Sequence, residues 1–441
     1  MAEFFRNNGW IIKDNLQEAD LVVFNACGLT GTTEDDGIKI INYIQTRKKP
    51  SAELIVCGCL PKINNSRLRE VYRGITFGSD EVERLDGLFP SDRKAKDLEA
   101  NYLIPRFQLD KREAAGLAHD KERGPIIGLL KWLKKHSLDS IQERLAAAIN
   151  VYGPNSYPIK ISTGCLNACS YCAVKLSRGH VRSKSIDRIA REFEEGLEKN
   201  YQEFALIGSD LGAFGRDRGT DLVCLLRELL KREGDYRIRL RNIQPRFLIE
   251  MMPEFKKILD TGKISYFECA AESGNDRILR LMNRGYSIDK YKEAIGLLNR
   301  EFPEIQLRTQ LMVGFPTETK DEFHDTCRLL DELRFDYVEV YAFQPRPGTR
   351  AAEMEGQVKP RISERRYYKL LIKSLFKDIQ RKRRALAEYK NRCEARSCFC
   401  GCREIVFDNF YNGVFRHQEK KSPVDDRALV PAHQDGQSGS S

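Results

Sequence analysis

Three cysteines stand close together in residues 162–183, which read STGCLNACSYCAVKLSRGHVRS. Cys165, Cys169 and Cys172 have three and then two residues between them. Thiolates are soft ligands that suit zinc, copper(I) or iron–sulfur iron. A structural zinc site needs four ligands, and this loop has no fourth cysteine and one imidazole, His180. Three thiolates around a four-iron cluster would leave one iron open, so the spacing favours such a cluster, with a structural zinc loop as the alternative.

The loop follows the strand-like run YPIKIS, and an aromatic residue, Tyr171, precedes the third cysteine. This arrangement resembles the cluster loop of the radical S-adenosylmethionine (SAM) enzymes. The resemblance implies that Cys165, Cys169 and Cys172 bind a 4Fe–4S cluster whose open iron chelates the amino and carboxylate groups of SAM. It also implies that an electron from the cluster cleaves SAM to a 5′-deoxyadenosyl radical.

Strand-like and helix-like runs alternate through residues 156–350. The strand-like runs read PIKIS, FALIG, RIRLRN, ISYFECAA, IQLRTQLMVG and YVEVYAF. Between them, apolar residues recur at intervals of three and four, as in helices that pack on a sheet. This alternation predicts an α/β fold with a parallel sheet, here a partial (β/α)6 barrel. The cysteine loop follows the first strand, at the edge of the sheet where such folds carry their sites.

Further segments resemble the methylthiotransferase branch of the radical SAM enzymes. They occur in the order of that family and read LIGSDLGAFGRD, ESGNDRILRLMNRGYS, MVGFPTETKDEFHDT and FQPRPGTRAA. From this resemblance we take Ser209, Asp210, Glu272, Ser273 and Arg308 as candidate SAM contacts.

The chain departs from the family pattern at three positions. Ser209 and Glu272 stand where glutamine is more usual, and Thr317 replaces a glycine. These changes leave the cluster chemistry intact but could alter the substrate pocket. Structural explanations also stay open, because Glu272 could pair locally and Arg308 could be a solvated strand residue.

Residues 1–95 are predicted to form a separate domain. The runs ADLVVFNACG and AELIVCGC read as buried strands, each followed by a helix, which predicts a small doubly wound, flavodoxin-like α/β domain. Cys27 and Cys59 end these strands, whereas Cys57 should point to the other face because side chains alternate along a strand. Cys27 and Cys59 could instead be small buried apolar residues that bind no metal.

The same segments resemble the amino-terminal domain of the methylthiotransferases, where three cysteines hold a second four-iron cluster. The resemblance implies that Cys27 and Cys59 are two of these ligands. The third family cysteine precedes the segment AEFFRNNGW, within which this chain begins. We therefore expect the domain to be incomplete at its start, which leaves the second cluster and sulfur insertion open.

The remaining segments are predicted to be a connector (96–155), a basic helical extension (351–393), and a Cys-rich segment with a disordered tail (394–441). Residues 361–393 hold twelve Lys or Arg against three Asp or Glu. This helix should dock by one apolar stripe and expose a basic face, which is either solvated or binds phosphate. The predicted stripe comprises Tyr368, Leu371, Ile372, Leu375, Phe376 and Ile379.

The family usually ends in a small β-barrel, which the sequence does not show. In its place stand four cysteines that either bind zinc or another cluster or belong to a degenerate end: Cys393, Cys398, Cys400 and Cys402.

Composition limits the location and the partners. The chain has 441 residues, 41% of them hydrophobic, thirteen cysteines and a net charge of +10. It shows no secretory leader and no apolar run of the about 20 residues that span a membrane. We therefore expect a cytoplasmic protein with no membrane partner, whose cysteines bind metal rather than form disulfides.

The resemblance implies an enzyme that inserts a methylthio group at an unactivated C–H bond, foremost of an adenosine in tRNA. The alternatives are a protein, peptide or natural-product substrate, or another radical SAM transformation if the second cluster is absent. A metal-binding, RNA-binding protein without activity is the rival outside enzymes. An electron donor such as flavodoxin or ferredoxin is implied.

Overall fold

The computed structural model describes residues 1–13, 15–95 and 156–395, and it describes side chains there except those of Glu3, Ile379 and residues 381–395. The predicted connector and the tail beyond residue 395 lie outside the described residues, and so do the side chains of the carboxyl-terminal cysteines. Within the described ranges, no helix is both long and apolar enough to cross a bilayer.

The amino-terminal domain is built on three parallel strands in the order β1-β2-β3. Its strands are β1 (Leu21–Ala26), β2 (Glu53–Gly58) and β3 (Ile75–Gly78), and its helices are α1 (Ala2–Asn7), α2 (Gly31–Arg47), α3 (Leu60–Ile63), α4 (Asn65–Val71) and α5 (Leu85–Leu88), with a 3-10 turn at Val82–Arg84. Because β2 lies in the centre, it is buried on both faces: Leu54 and Val56 pack on one side, Ile55 and Cys57 on the other. The predicted parallel α/β class of this domain is confirmed.

The second domain contains a six-stranded parallel sheet, in the order β11-β10-β9-β8-β7-β4. Its strands are β4 (Ser156–Lys160), β7 (Glu203–Ile207), β8 (Arg237–Ile243), β9 (Ile264–Cys269), β10 (Gln306–Val313) and β11 (Tyr337–Ala342), and two short antiparallel strands are β5 (Ser162–Thr163) and β6 (Arg182–Ser183). Its helices are α6 (Val174–Arg178), α7 (Ile186–Glu198), α8 (Leu222–Leu229), α9 (Pro245–Leu259), α10 (Asp276–Leu281), α11 (Ile288–Glu301), α12 (Lys320–Glu332), α13 (Arg350–Glu353) and α14 (Pro360–Ala395), with 3-10 turns at Leu211–Ala213 and Arg216–Arg218. Neighbours in the sheet are consecutive along the chain apart from the short pair, so the predicted partial barrel is confirmed.

Helices cover the outer face of this sheet. Ile189 and Phe193 of α7 and Leu226 of α8 are buried against strand residues such as Phe204 and Leu240. The three- and four-residue spacing of the helical apolar positions places them on the face toward the sheet. Each such large side chain that is fully buried stabilises the fold by roughly 2 kcal/mol. This outer core holds the strands in place and leaves the inner face for polar residues.

The docking face of α14 differs from the predicted stripe. Leu370 and Leu371 are buried, whereas Ile372 is 40% exposed and Phe376 is 62% exposed. The buried face continues through Ser374, one turn beyond Leu370. Leu371 belongs to the predicted stripe, whereas Leu370 and Ser374 do not, so the docking face is rotated relative to the prediction. The sequence shows which positions of a helix are apolar but not which of them its neighbour covers.

The charged side chains of α14 also differ from the prediction. Arg366 Nη1 donates to Glu318 Oε2 (2.6 Å), and both Lys373 and Lys377 pair with Asp331 of α12. Part of the basic face is therefore neutralised by acids of the barrel. Arg361, Arg365 and Lys369 are exposed, so the predicted outward basic face is present in part over this half of the helix.

A capping box begins α12 and gives a testable pH dependence. Glu322 accepts from Thr319 N (2.8 Å) and forms a forked pair with Arg277, whose Nε lies 2.5 Å and Nη2 2.8 Å from its two oxygens. The hydrogen bond from Arg277 lowers the pKa of Glu322 to about 2. A depressed pKa contributes stability above the unfolded-state pKa, and that contribution is lost as the pH falls.

We expect Glu322→Gln to lower the free energy of unfolding by about 2 kcal/mol at neutral pH, because Arg277 is partly exposed and its pair is screened. The difference from the parent should shrink as the pH falls from about 4.5 toward 2. Denaturant titrations at several pH values would measure it. Glu301→Gln, which removes an exposed pair with Lys256, is the control. An equal effect at pH 7 and pH 3 would contradict the assignment.

Candidate functional site

The three-cysteine loop runs from β5 to α6 and is fastened at several points. Cys165 N donates to Gly179 O (3.2 Å), and Ser170 donates through its N to Met282 O (3.0 Å) and through its Oγ to Leu281 O (2.8 Å). Gly164 has φ +72°, and a Cβ there would meet the backbone of His180 at 1.9 Å. Only glycine fits this crossing, which holds the loop beside the carboxyl ends of the strands.

Two side chains donate to the sulfurs of this loop. Asn167 Nδ2 lies 3.4 Å from Cys165 Sγ, and Arg284 Nη1 lies 3.5 Å from Cys169 Sγ. Arg284 also donates to Tyr171 OH (3.3 Å) and to the backbone carbonyl of Ala270 (2.7 Å). The guanidinium is buried. A fixed positive charge therefore stands against the cysteine loop.

The donor set fits an iron–sulfur cluster. Burial raises the pKa of the Cys172 thiol to about 12 and also raises that of Cys165, so the thiolates require a cation beside them, which a bound metal supplies. Among the described residues, no three His, Cys, Asp or Glu side chains are grouped as ligands of one metal ion. Because each thiolate of a four-iron cluster binds a different iron, its ligands need not converge on one point. Three thiols on one fastened loop therefore fit the ligand set of a four-iron cluster.

Asp210 and Ser209 lie at the end of β7, beside the loop. Asp210 Oδ1 accepts from Gly212 N (3.0 Å) and Gln244 N (3.2 Å), and its other oxygen accepts from Asn167. Burial raises the pKa of Asp210. Ser209 Oγ lies 3.3 Å from Arg178 Nη1. Asp210 thus connects two strand ends to the side chain that contacts Cys165.

Glu272 occupies a strained position after β9. Its φ is +65°, and its backbone bridges to β10, with Glu272 N donating to Gln310 O and Met312 N to Glu272 O, each at 2.8 Å. Its carboxyl is buried near Tyr171 and Arg284, and burial raises its pKa. A non-glycine residue in the left-handed region costs free energy and is common at functional sites. Because its carboxyl lies near Tyr171 and Arg284, Glu272 is close to the cysteine loop.

Ser273 plays a different part. It is fully buried, its Oγ accepts from Asn275 N (3.2 Å), and it lies 3.4 Å from Thr326 Oγ1 of α12. The structure uses its hydroxyl to join α10 to α12.

Arg308 belongs to a charged group inside the barrel. It pairs with Glu339 of β11, and its Nε lies 3.8 Å from Glu268 Oε1. Glu268 also accepts from Gln310 Nε2 (2.8 Å) and pairs with Arg241 (3.5 Å). Arg308 is 6% exposed, so the alternative of a solvated strand residue was wrong. Among the described residues its Nη1 has no hydrogen-bond partner, which leaves donors for a bound molecule.

Sequence reasoning missed Arg284 and Asn167 as contacts of the cysteine sulfurs. Arg284 lies within the family-like segment LMNRGYS and Asn167 within the cysteine loop. A basic residue in a buried family-like segment was a usable signal for Arg284. No signal for Asn167 was available, because its amide could as well have faced solvent.

The amino-terminal cysteines lie on two loops that touch. A Cβ on Gly28 would stand 2.9 Å from Leu60 Cα, so the loop after Cys27 packs directly on the residue after Cys59. Cys27 is exposed and Cys59 is buried. Cys57 packs elsewhere, with its Sγ 3.6 Å from Met1 Sδ. The structure thus brings the loops of Cys27 and Cys59 together and turns Cys57 to the other face, as strand alternation predicts.

Two family models match the chain, the Radical SAM superfamily over residues 159–330 and the Uncharacterized protein family UPF0004 over residues 1–78. Among solved structures, the radical SAM methyltransferase TsrM from Kitasatospora setae aligns with a TM-score of 0.50 at 13% identity, over 76% of this chain and 66% of that one. This likeness shows the fold alone.

Several curated proteins are similar over most of the chain. A probable threonylcarbamoyladenosine tRNA methylthiotransferase from Pyrococcus horikoshii is 30% identical over 80% of this chain and 75% of its own length. The human threonylcarbamoyladenosine tRNA methylthiotransferase is 29% identical over 81% of this chain and 56% of its own length. The ribosomal protein uS12 methylthiotransferase RimO of Protochlamydia amoebophila is 26% identical over 82% and 70%. With the three-thiol loop on a parallel barrel and the second cysteine-bearing domain, these similarities show that the chain belongs to the radical SAM methylthiotransferase family.

Proposed function

We propose that this protein inserts a methylthio group at a C–H bond of threonylcarbamoyladenosine in tRNA. The observation that supports the reaction is the pairing of a three-thiol loop on a barrel with a docked domain that carries Cys27 and Cys59. The substrate is taken from the names of the similar proteins from Pyrococcus horikoshii and human. The family uses SAM and a four-iron cluster, and a second cluster is typical of methylthiotransferases.

In this proposal, Cys165, Cys169 and Cys172 hold the barrel cluster. When bound, the cluster supplies the electron that cleaves SAM and generates the hydrogen-abstracting species. Asn167 and Arg284 donate to the cysteine sulfurs, which orients the thiolates and offsets their charge. Cys27 and Cys59 belong to the second site, from which the sulfur is delivered.

The chain also supplies the SAM pocket in this proposal. Arg308 presents an unused donor to a carboxylate, and the buried carboxyl of Glu272 closes the pocket near Tyr171. Asp210 connects two strand ends, Ser273 joins α10 to α12, and Ser209 lies beside the loop. The enclosed barrel shields the reacting carbon from water, as radical chemistry requires.

Basic side chains around the cysteine loop support an RNA substrate. Arg178, Arg182 and Lys184 lie near Lys160, whose pKa is lowered to about 8 by burial first and then by their charges. Lys184 is paired with Glu192, and the two arginines supply the basic character of this area. Phosphate contacts dominate affinity for nucleic acids. In the described half of α14, Arg366 pairs with Glu318, and Lys373 and Lys377 pair with Asp331. These pairs neutralise part of the charge that the helix could offer to phosphate. We therefore propose that tRNA approaches beside the loop.

We expect anaerobically reconstituted enzyme to add a methylthio group to tRNA that carries threonylcarbamoyladenosine. Nucleoside mass spectrometry would detect a product that depends on SAM and on a reductant. Matched tRNA with unmodified adenosine at that position is the control and should remain unchanged. A product on the unmodified tRNA, or only on ribosomal protein uS12, would reject the proposed substrate and leave the reaction type standing.

A further inference from the structure

One buried arginine of the barrel reaches into the amino-terminal domain. Arg346 follows β11 and is 6% exposed. Its Nη2 donates to Gly28 O (2.7 Å), the carbonyl of the residue after Cys27, and pairs with the carboxylate of Glu34 in α2. Glu34 is 1% exposed. Arg346 therefore makes direct contacts with two residues that are distant from it along the chain.

Glu34 also binds other residues of the amino-terminal domain. It accepts from Arg67 Nη1 (2.6 Å) and from Asn64 Nδ2 (2.9 Å). These partners belong to α4 and its amino-terminal cap. Removing one partner of a buried, hydrogen-bonded ion pair is costly, because the other charge stays buried. Arg346 is thus connected to two helices as well as to the loop of Cys27.

Three further contacts hold the cysteine loops on the barrel. Gly31 N donates to Gln344 Oε1 (2.8 Å), which fastens the start of α2. Ser79 Oγ donates to Ser177 O of α6 (2.9 Å). Cys59 packs with Ala173, the residue after Cys172. The region around Cys59 therefore packs on the segment that follows the barrel's cysteine loop.

We propose that Arg346 is a positioning residue that sets the place of Cys27 and Cys59 relative to the SAM site. The inference rests on the proposed function, because sulfur delivered from one domain must reach a carbon activated in the other. Reactions between held groups are very sensitive to displacements of about 1 Å. Of the contacts between the two domains named above, the Arg346–Glu34 pair is the one that is both charged and buried, so it has the geometry to prevent such a displacement.

The test compares Arg346→Gln and Arg346→Lys with Arg239→Gln. Arg239 is a matched control, since it is equally buried and donates to Glu203 Oε1 (3.0 Å) within the barrel. In metal-free protein, Arg346→Gln should speed hydrogen exchange of the Gly31 amide several-fold, and Arg239→Gln should leave it unchanged. In reconstituted enzyme, Arg346→Gln should keep SAM cleavage within about twofold and lower the methylthio product roughly tenfold or more. Arg346→Lys should restore part of the product, because it retains the charge.

If SAM cleavage and the methylthio product both fall in Arg346→Gln, and to the same extent as in Arg239→Gln, Arg346 has a merely structural role and the inference is overturned. Unchanged exchange at Gly31 in Arg346→Gln would also overturn it. A parent enzyme that cleaves SAM without any methylthio product would instead contradict the proposed function, and the exchange comparison alone would then decide whether Arg346 holds the loop.

Discussion

Simultaneous replacement of Cys165, Cys169 and Cys172 by alanine is expected to abolish reductive SAM cleavage and to remove about four iron atoms per chain. The three thiols share one fastened loop, and burial disfavours the thiolates of Cys165 and Cys172 unless a metal binds. Iron and sulfide analysis would measure the loss of the cluster. Release of 5′-deoxyadenosine after reduction with dithionite, under anaerobic conditions, would measure cleavage.

Cys224→Ala is the control for this experiment, because Cys224 is exposed on α8. It should bind as much iron as the parent and cleave SAM at the same rate. The assignment of the ligands is wrong if the triple variant retains cleavage. It is also wrong if iron is lost equally in the control. Unfolding of the metal-free proteins should be compared, so that loss of the fold is not mistaken for loss of ligands.

Replacing Arg284 by methionine should have the next largest effect. The guanidinium donates to Cys169 Sγ, Tyr171 OH and Ala270 O. Donors and positive charge at a cluster thiolate stabilise the reduced state. We therefore expect a more negative reduction potential and SAM cleavage slower by roughly tenfold. The metal-free protein should lose about 3 kcal/mol of unfolding free energy, because buried acceptors lose their donor.

Arg284→Lys separates the effect of the positive charge from that of the hydrogen bonds, since it retains the charge but loses the forked donor geometry. Its potential should lie between those of the parent and of Arg284→Met, while its stability should remain low. Redox titration followed by electron paramagnetic resonance would measure the potential. An unchanged potential in Arg284→Met would mean that the arginine only supports the loop.

The sequence by itself determined the strands of the barrel and the three cysteines of its loop. Six strands and their order follow from alternation of apolar runs and from the right-handed, short connections of parallel sheets. The spacing of Cys165, Cys169 and Cys172 is local, so its meaning does not depend on the rest of the fold. The same holds for Cys57, whose direction follows from the pleat of one strand.

Only the tertiary structure decided which distant side chains meet these elements. Arg284 lies 115 residues from Cys169, and Arg346 lies 318 residues from Gly28. The enclosed state of Arg308 and the true docking face of α14 likewise depend on neighbours from other strands and helices. Periodicity gives the positions that share one face of an element. It does not give the partner that covers the face, because that partner is selected by packing and charge pairing in three dimensions.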